Sequence, residues 1–211
     1  MRKVSDPVNE SYLKRYTDLP ALIYLLKNRV ITLLDPESWD DRNDSHYLSV
    51  YKNKRAFKSL LALCFTEVSE TYHHWRVFAG PSGVCITFDR DALLNPLQSK
   101  VGVRYDSVRY LTLEKNRKQP PDINQLPFVK RHAFRDEGEF RIIYESGKSG
   151  IRRKDFRLSL ATIDRISLSP WTPKQLSDSL KETLQAIPGC ENIPMSRSTL
   201  VDNREWKKLA G

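Results

Sequence analysis

Two glutamates, Glu137 and Glu139, lie one residue apart directly ahead of the apolar run Phe140 to Tyr144. If the run is a β-strand, successive side chains point to opposite faces, so both glutamates and Arg141 share one face. That face is either solvated or the floor of a site. Gly138 favours a site, because a glycine at the entry to a strand often marks a bulge or a close backbone approach. Paired carboxylates there could move a proton or stabilise a developing positive charge.

A second acidic group lies in the loop DPESWDDRNDSHY and includes Asp40, Asp41 and Asp44. A metal-dependent nuclease would use two or three carboxylates and a lysine around Mg²⁺, and Lys130 could supply the lysine. The spacing matches no nuclease pattern, however, and turns and helix caps use the same residue types. We therefore favour turn formation, capping or substrate positioning, and keep the nuclease as a third hypothesis.

Helices and strands that would position these residues interleave irregularly along the chain. Apolar and β-branched runs predict strands at residues 12–17, 30–34, 60–66, 83–89, 101–113 (one strand or a bent pair) and 140–144, with two more within 155–169. Caps and apolar stripes predict helices at residues 19–29, 47–58, 69–80, 125–134 and 173–187. The order predicts an α+β fold, a single domain over residues 1–211 around a curved, mostly antiparallel sheet with flanking helices. Residues 172–211 are expected to form a C-terminal helix and tail extension.

Charge is unevenly distributed along the chain. Between Lys100 and Arg157 there are 15 Lys/Arg and 8 Asp/Glu, so this segment carries +7 of the formal net charge of +9. A concentrated basic surface indicates an anionic partner such as nucleic acid or a phosphate-rich ligand, although an ordinary basic protein is an equally good explanation on charge alone.

Cysteine usage and hydropathy indicate the compartment. The three cysteines are widely spaced within apolar runs, which predicts buried thiols in a reducing environment. No apolar stretch approaches the roughly eighteen residues of a membrane span, and the N-terminus lacks a secretion signal. We expect a cytoplasmic protein that does not contact the membrane.

The pattern K-x-x-x-F-x-x-E-x-E-F-R, from Lys130 to Arg141, resembles a signature of an uncharacterised bacterial family, the domain of unknown function numbered two-nine-seven-one. Other parts of that family's pattern follow in order: the opening YLKRYTDLPALIYLLKNRVITL, the loop PESWDD, the strand end Cys64-Phe65-Thr66 and the segment HHWRVFAGPSGVCITFD. The resemblance runs from about Tyr12 to Trp171, and the family implies no function by itself.

The order of these pieces is also similar, more distantly, to ADP-ribosyltransferase toxins. That fold opens with a strand carrying Arg or His, and Arg15-Tyr16-Thr17 resembles it. It ends with a glutamate at the start of a late strand, often within Glu-x-Glu, and Glu137-Gly138-Glu139 resembles that element. The middle element, which Phe65-Thr66 approximates, lacks a clean Ser-Thr-Ser.

The similarity implies NAD as the substrate, cleaved without a metal. Glu139 would stabilise the oxocarbenium-like ribosyl transition state, and Glu137 would orient or deprotonate the acceptor. Arg15 would hold the NAD phosphates or ribose. The remaining implied contacts are Tyr16, Thr17, Phe65, Thr66 and Tyr72 for NAD, with Phe65 or Tyr72 stacking on nicotinamide, and Asp41, Lys130 and Arg141 for the acceptor substrate.

Function is therefore open among three classes. The first is a bacterial toxin or phage-defence effector that transfers ADP-ribose to nucleic acid or protein, with an antitoxin or inhibitor protein as a further possible partner. The second is a non-catalytic nucleic-acid-binding or complex-forming module, which predicts a filled cleft around Glu139. The third, the metal-dependent nuclease, predicts that Asp40, Asp41 and Asp44 converge.

Overall fold

A computed structural model describes residues 11–210 of the chain, without the side chain of residue 38. Two compact units are assembled from separate segments of the sequence. The first unit contains residues up to 30, 68–93 and 157 onward, and the second contains residues 31–67 and 94–156.

The first unit contributes four strands to a larger sheet, in the order β11-β10-β4-β1. Its strands are β1 (Tyr12–Thr17), β4 (Val84–Asp89), β10 (Ile163–Leu168) and β11 (Met195–Arg197). The β1–β4 and β4–β10 pairs are antiparallel, whereas β10 and β11 run parallel. Its helices are α1 (Leu19–Asn28), α3 (Tyr72–His74), α6 (Lys174–Gln185) and α7 (Arg204–Lys208), and a π-helical turn, Trp75–Ala79, follows α3 directly.

Local sequence explains why α1 and the π-helical turn begin and end where they do. The Asp18 side chain accepts a hydrogen bond from the Ala21 amide at 2.7 Å and so caps α1. Arg29, in the left-handed region, ends that helix. Gly80, with φ of 71°, ends the turn that holds the fully buried Trp75.

The second unit is built around β8 (Glu139–Ser146), which is antiparallel to two neighbours. These are β3 (Ser59–Thr66) on one side and β5 (Val103–Ser107) on the other. β2 (Val30–Leu34), which begins at the unit boundary, pairs with β3, and β9 (Arg153–Arg157) follows β2 in the order. A separate parallel pair joins β6 (Arg109–Leu111) to β7 (Val129–Arg131).

Three helices belong wholly or partly to the second unit: α2 (Arg42–Lys54), α5 (Leu113–Lys118) and the end of α4 (Arg90–Gln98), with 3₁₀ turns at Pro36–Ser38, Ile123–Phe128 and His132–Glu137. Its core joins α2 to the central strands, through the buried residues Leu48, Tyr51, Leu60, Ala62, Phe128 and Ile143. Because β3 and β8 are buried on both faces over most of their length, their side chains do not alternate between core and solvent.

The predicted α+β class and the mostly antiparallel sheet are confirmed. The helix predicted at 125–134 is wrong: a 3₁₀ turn, β7 and a second 3₁₀ turn occupy the segment, which Pro127 interrupts. Residues 114–118, for which the sequence predicts neither a helix nor a strand, lie in α5. Residues 172–210 belong to the first unit and contain α6, β11 and α7, with β11 paired in parallel to β10.

Candidate functional site

The start of β8 brings the predicted glutamates to a tight turn in the second unit. Gly138, in the left-handed region with φ of 50°, ends the 3₁₀ turn His132–Glu137 and lets β8 begin at Glu139. The Thr66 hydroxyl donates a hydrogen bond to the Glu137 carbonyl at 2.6 Å, and the Glu67 amide donates to the Gly138 carbonyl. Glu137 therefore lies outside the strand, which corrects the expectation that it extends the strand's polar face.

Arg141 is the centre of the site and is completely buried. Its Nη1 and Nη2 donate to the two carboxylate oxygens of Asp44 at 3.0 and 2.7 Å, and its Nε donates to Glu139 Oε1 at 2.7 Å. Nη1 also donates to the Pro127 carbonyl at 2.8 Å, and the guanidinium carbon lies 5.1 Å from the centre of the Trp39 ring. The fork geometry of arginine thus links α2 to β8.

Lys130 is the second cation of the site. Its Nζ lies 2.6 Å from Glu137 Oε2, 3.4 Å from Glu139 Oε2 and 3.8 Å from Asp44 Oδ2. Its ammonium group also lies 4.9 Å from the centre of the Phe134 ring. Three carboxylates therefore share two cations, and when all five groups are ionised the cluster carries one excess negative charge.

The two glutamates have opposite pKa shifts. Burial would raise the pKa of Glu139, but Arg141 and Lys130 outweigh it and lower that pKa from 4.5 to about 2. Burial raises the pKa of Glu137 above its usual value, despite the opposing charge of Lys130. Glu139 therefore stays ionised well into the acid range, and Glu137 binds a proton more readily than a solvated glutamate.

Tyr110 and Cys64 complete the surroundings of Glu139. The Tyr110 hydroxyl accepts a hydrogen bond from the Glu139 amide at 2.8 Å, and burial raises the pKa of its phenol well above the usual range. Cys64 lies opposite Arg141 in the β3–β8 register, and its thiol is hydrogen-bonded to the Glu139 carboxylate. Burial raises the pKa of this thiol, which keeps it a protonated donor.

A small cavity adjoins the cluster within the second unit. It has a volume of about 100 Å³ and is lined by residues of α2, α5, β7 and the end of β6: Asn43, Asp44, Tyr47, Leu111, Thr112, Leu113, Asn116, Val129, Lys130 and Arg131. A second depression of about 340 Å³ shares Tyr47 and Asn116 with the first. Asp44 and Lys130 therefore belong both to the buried cluster and to the wall of a cavity.

Four residues of the predicted site form one cluster: Glu137, Glu139, Lys130 and Arg141. All four are far less exposed than a solvated face requires, with side-chain exposures of 9%, 6%, 9% and 0%. Of the two original interpretations of this face, the solvated one is wrong. The other predicted residues on β3 have structural roles, because Phe65 is buried at 3% exposure and Thr66 bonds the Glu137 carbonyl. Phe65 offers no free ring face for stacking.

The remaining predicted NAD contacts lie in the first unit. Arg15 is half-buried on β1, whereas Tyr16 and Thr17 are buried. Tyr16 packs between His74 and Trp75, with ring centres 5.2 and 5.1 Å away. Tyr72 is 54% exposed, and its hydroxyl accepts a hydrogen bond from Arg76 Nε.

The acidic loop does not form the convergent site that the nuclease hypothesis requires. Asp41 caps α2, since its Oδ1 accepts hydrogen bonds from the amides of Asn43 and Asp44 at 3.0 and 3.3 Å. Asp44 points inward to Arg141, and Asp40 is exposed. The expectation of three converging carboxylates is therefore wrong. Across residues 11–210, no group of three or more His, Cys, Asp or Glu residues could hold a metal ion.

Sequence reasoning missed the pairing of Asp44 with Arg141, because Asp44 was considered as a turn, capping or substrate-positioning residue or as a metal ligand. It also missed Tyr110, Tyr47 and Asn116. One signal was present: Asp41 and Asp44 are spaced as a helix cap and a first-turn residue, which would have moved the start of α2 from 47 to 42. The pairing of Asp44 with Arg141 spans 97 residues, and no local pattern indicates it.

Comparison of the chain with family models, curated proteins and solved structures found no match. Within residues 11–210, every helix is too short or too polar to span a membrane.

Proposed function

We propose that the second unit cleaves the bond between nicotinamide and ribose in NAD and transfers ADP-ribose to an acceptor, as the distant resemblance to ADP-ribosyltransferases implies. The observation that carries the proposal is the pair Glu137 and Glu139, held by one lysine with opposite pKa shifts. Environments that separate the pKa values of two neighbouring carboxyl groups are typical of acid–base sites.

Electrostatics support Glu139 as the residue that stabilises the transition state. When the nicotinamide–ribose bond breaks, its electron pair leaves with the ring nitrogen and positive charge develops on the ribose. The buried cluster has one more carboxylate than cations, and its Glu139 remains ionised because its pKa is about 2. A fixed, desolvated negative charge of this kind stabilises developing positive charge more strongly than water does.

Glu137 is the better candidate for the proton. An acceptor hydroxyl or amine attacks the ribose carbon that the nicotinamide leaves, and its proton passes to the Glu137 carboxylate. The pKa of Glu137 is raised toward the working pH. A general base whose pKa lies near the working pH is still partly ionised and also binds the transferred proton strongly.

The test uses NAD labelled in its adenylate half, incubated with the protein and with DNA, RNA or a bacterial lysate. Nicotinamide release is measured in parallel, with and without a chelator. Label transfer that survives chelation and disappears in both Glu139→Gln and Glu137→Gln supports the proposal, and the labelled fraction names the acceptor. Nicotinamide release without transfer would show NAD hydrolysis in its place.

A matched control is available on the same strand. Glu145 on β8 is bound to the Tyr51 hydroxyl and lies outside the cluster, so Glu145→Gln should leave transfer unchanged. Circular dichroism and thermal unfolding confirm that each variant is folded. Neither transfer nor nicotinamide release from the folded wild-type protein, across all acceptors, would overturn the proposal.

One observation favours a second candidate, a binding module without catalysis. Both oxygens of Glu139 are engaged, one by Arg141 and the other by Lys130, and the side chain is 6% exposed. The hypothesis of a non-catalytic binding module predicts such a filled cleft around Glu139. It would explain Glu139 as a structural counter-charge, and Glu139→Gln would then lower stability without changing the binding of a partner.

A further inference from the structure

The side chain of Arg76, in the first unit, is exposed but is held in place by two aromatic residues. Its guanidinium carbon lies 4.1 Å from the centre of the Trp171 ring and 5.2 Å from the centre of the Tyr72 ring. Its Nε donates a hydrogen bond to the Tyr72 hydroxyl at 2.8 Å, and the two rings meet edge to face with centres 5.6 Å apart. The guanidinium is therefore oriented before any partner binds, which lowers the entropy cost of each hydrogen bond that it forms.

This fixed cation has no carboxylate partner. Within residues 11–210, Arg76 forms no ion pair, so the hydrogens of Nη1 and Nη2 are available to a ligand. Glu70 is the acidic residue of the same segment, but its Oε1 accepts hydrogen bonds from Trp75 Nε1 and the Ser198 hydroxyl. The free fork of Nη1 and Nη2 matches the two oxygens of a carboxylate or of a phosphate.

Large apolar side chains are exposed directly beside Arg76. The Gly80 amide donates to the Trp75 carbonyl five residues earlier, and the wide turn buries Trp75 while the next three residues are exposed. Val77 is 58% exposed and Phe78 is 41% exposed. Turns of this π-helical kind are frequent at functional sites, and Arg, Tyr and Trp are the residues that contribute most to protein–protein binding.

The charge around Arg76 favours a protein partner over a nucleic acid. A nucleic-acid strand is bound by several cations that follow its phosphates, whereas Arg76 is the only lysine or arginine between residues 68 and 82. Arg197 also lies near Trp171, but its Nη1 lies 3.4 and 3.5 Å from the carbonyl oxygens of Pro170 and Thr172. One free cation beside two apolar side chains fits one carboxylate with apolar neighbours.

We propose that Arg76, Val77 and Phe78 bind a segment of a partner protein in which one Asp or Glu is flanked by large apolar side chains. The carboxylate of that segment binds the Nη1 and Nη2 fork, and its apolar neighbours cover Val77 and Phe78. The inference is independent of NAD cleavage, because none of these residues belongs to the glutamate cluster.

A selection of short random peptides displayed on phage tests the surface, with the wild-type protein and Arg76→Gln as parallel targets. We expect the peptides enriched on the wild type alone to share an acidic residue next to aromatic or aliphatic ones. A synthetic peptide of the enriched sequence is then titrated by fluorescence anisotropy. Arg76→Gln, or the amide in place of the peptide's acid, should each weaken binding about tenfold. Both changes together should weaken it no more than either alone.

Further variants separate a specific carboxylate contact from a general loss of charge or of folding. Arg76→Lys keeps the charge without the fork and should weaken the peptide about fivefold. Val77→Asp should weaken it more than Val77→Asn, because only the aspartate repels the carboxylate. Arg165→Gln is the control, since Arg165 is 55% exposed in the same unit and lies 3.8 Å from Asp164. It should change nothing, and thermal unfolding confirms that every variant is folded.

Four outcomes overturn the inference. Two of them come from the peptides: no enrichment that depends on Arg76, or additive effects of the two matched changes. The third is binding of labelled single-stranded DNA or RNA that Arg76→Gln abolishes, which would assign the surface to a nucleic acid. The fourth is a dimer in light scattering that Arg76→Gln converts to a monomer, which would assign it to a second copy of the chain.

Discussion

Replacing Arg141 with methionine should destabilise the second unit by about 3–5 kcal/mol at pH 7. The change removes a fully buried cation that makes three hydrogen bonds to Asp44 and Glu139. Asp44 and Glu139 then share Lys130 with Glu137, and the Lys130 Nζ is 3.8, 3.4 and 2.6 Å from the three carboxylates, respectively. Removing one partner of a buried ion pair typically costs about 3–5 kcal/mol, because the other charge stays buried without compensation.

The pKa of Glu139 gives a similar magnitude by another route. Its folded-state pKa of about 2 compares with a usual value of 4.5. Converted at about 1.4 kcal/mol per pKa unit, the difference is worth about 3 kcal/mol at neutral pH. In the wild type this stability is present above pH 4.5 and is lost as the pH falls through 2.

Without Arg141, burial dominates and the pKa of Glu139 rises above 4.5. The folded variant then binds more protons than its unfolded state, so acid favours folding of the variant while it weakens the wild type. The free-energy deficit of the variant should therefore shrink as the pH is lowered from 7 to 4.

Urea unfolding followed by tryptophan fluorescence at both pH values measures the deficit, and Trp39 lies beside the substituted guanidinium. Arg152→Met is the control, because Arg152 is 84% exposed and lies 3.4 Å from the exposed Glu37, so its loss should cost under about 1 kcal/mol. A deficit for Arg141→Met below 1 kcal/mol, or one that does not change with pH, would refute the reasoning.

Three further predictions follow from single contacts, each measured by chemical or thermal unfolding. Gly138→Ala should cost about 1 kcal/mol because of its left-handed backbone, and Gly138→Asn should cost less; equal costs would contradict the backbone explanation. Asp41→Ala should cost about 1 kcal/mol by removing the cap of α2, whereas Asp40→Ala should cost under 0.5. Tyr51→Phe should cost about 2 kcal/mol by removing the hydroxyl that bonds the Glu145 carboxylate, and an unchanged stability would show that Arg104 replaces it.

Elements with strong local signals could be predicted from the sequence. β1 and β2 were predicted with the bounds that the structure has, and α1 within a residue. The β-branched composition of β2 and the Asp18 cap before an apolar stripe determine these elements without help from distant residues. The segment 123–137 could not be predicted in this way, because β7 exists through its pairing with β6, about twenty residues earlier.

In the candidate site, too, the local sequence indicates some features, whereas contacts between distant residues determine the others. The types and spacing of Glu137, Glu139 and Arg141 left a solvated face and a site open, and the burial of all three residues excludes the solvated face. Period-two alternation gives the direction of a side chain and not its burial. The burial depends on Asp44, which α2 delivers from far along the chain, and on Lys130, which the unpredicted β7 carries.

The parallel pairing of β10 with β11 has a consequence for how the protein is made. During synthesis the chain emerges from its N-terminus, so the last segment of the second unit, ending at Phe156, is complete well before Met195 appears. β1 is made before the other described strands, but the sheet it belongs to gains β11 only with residues 195–197. The second unit, with its ion-pair cluster, can therefore fold on the ribosome while the edge of β10 still waits for a partner. A slowed ribosome between residues 157 and 194 would prolong the exposure of that open strand edge to other nascent chains.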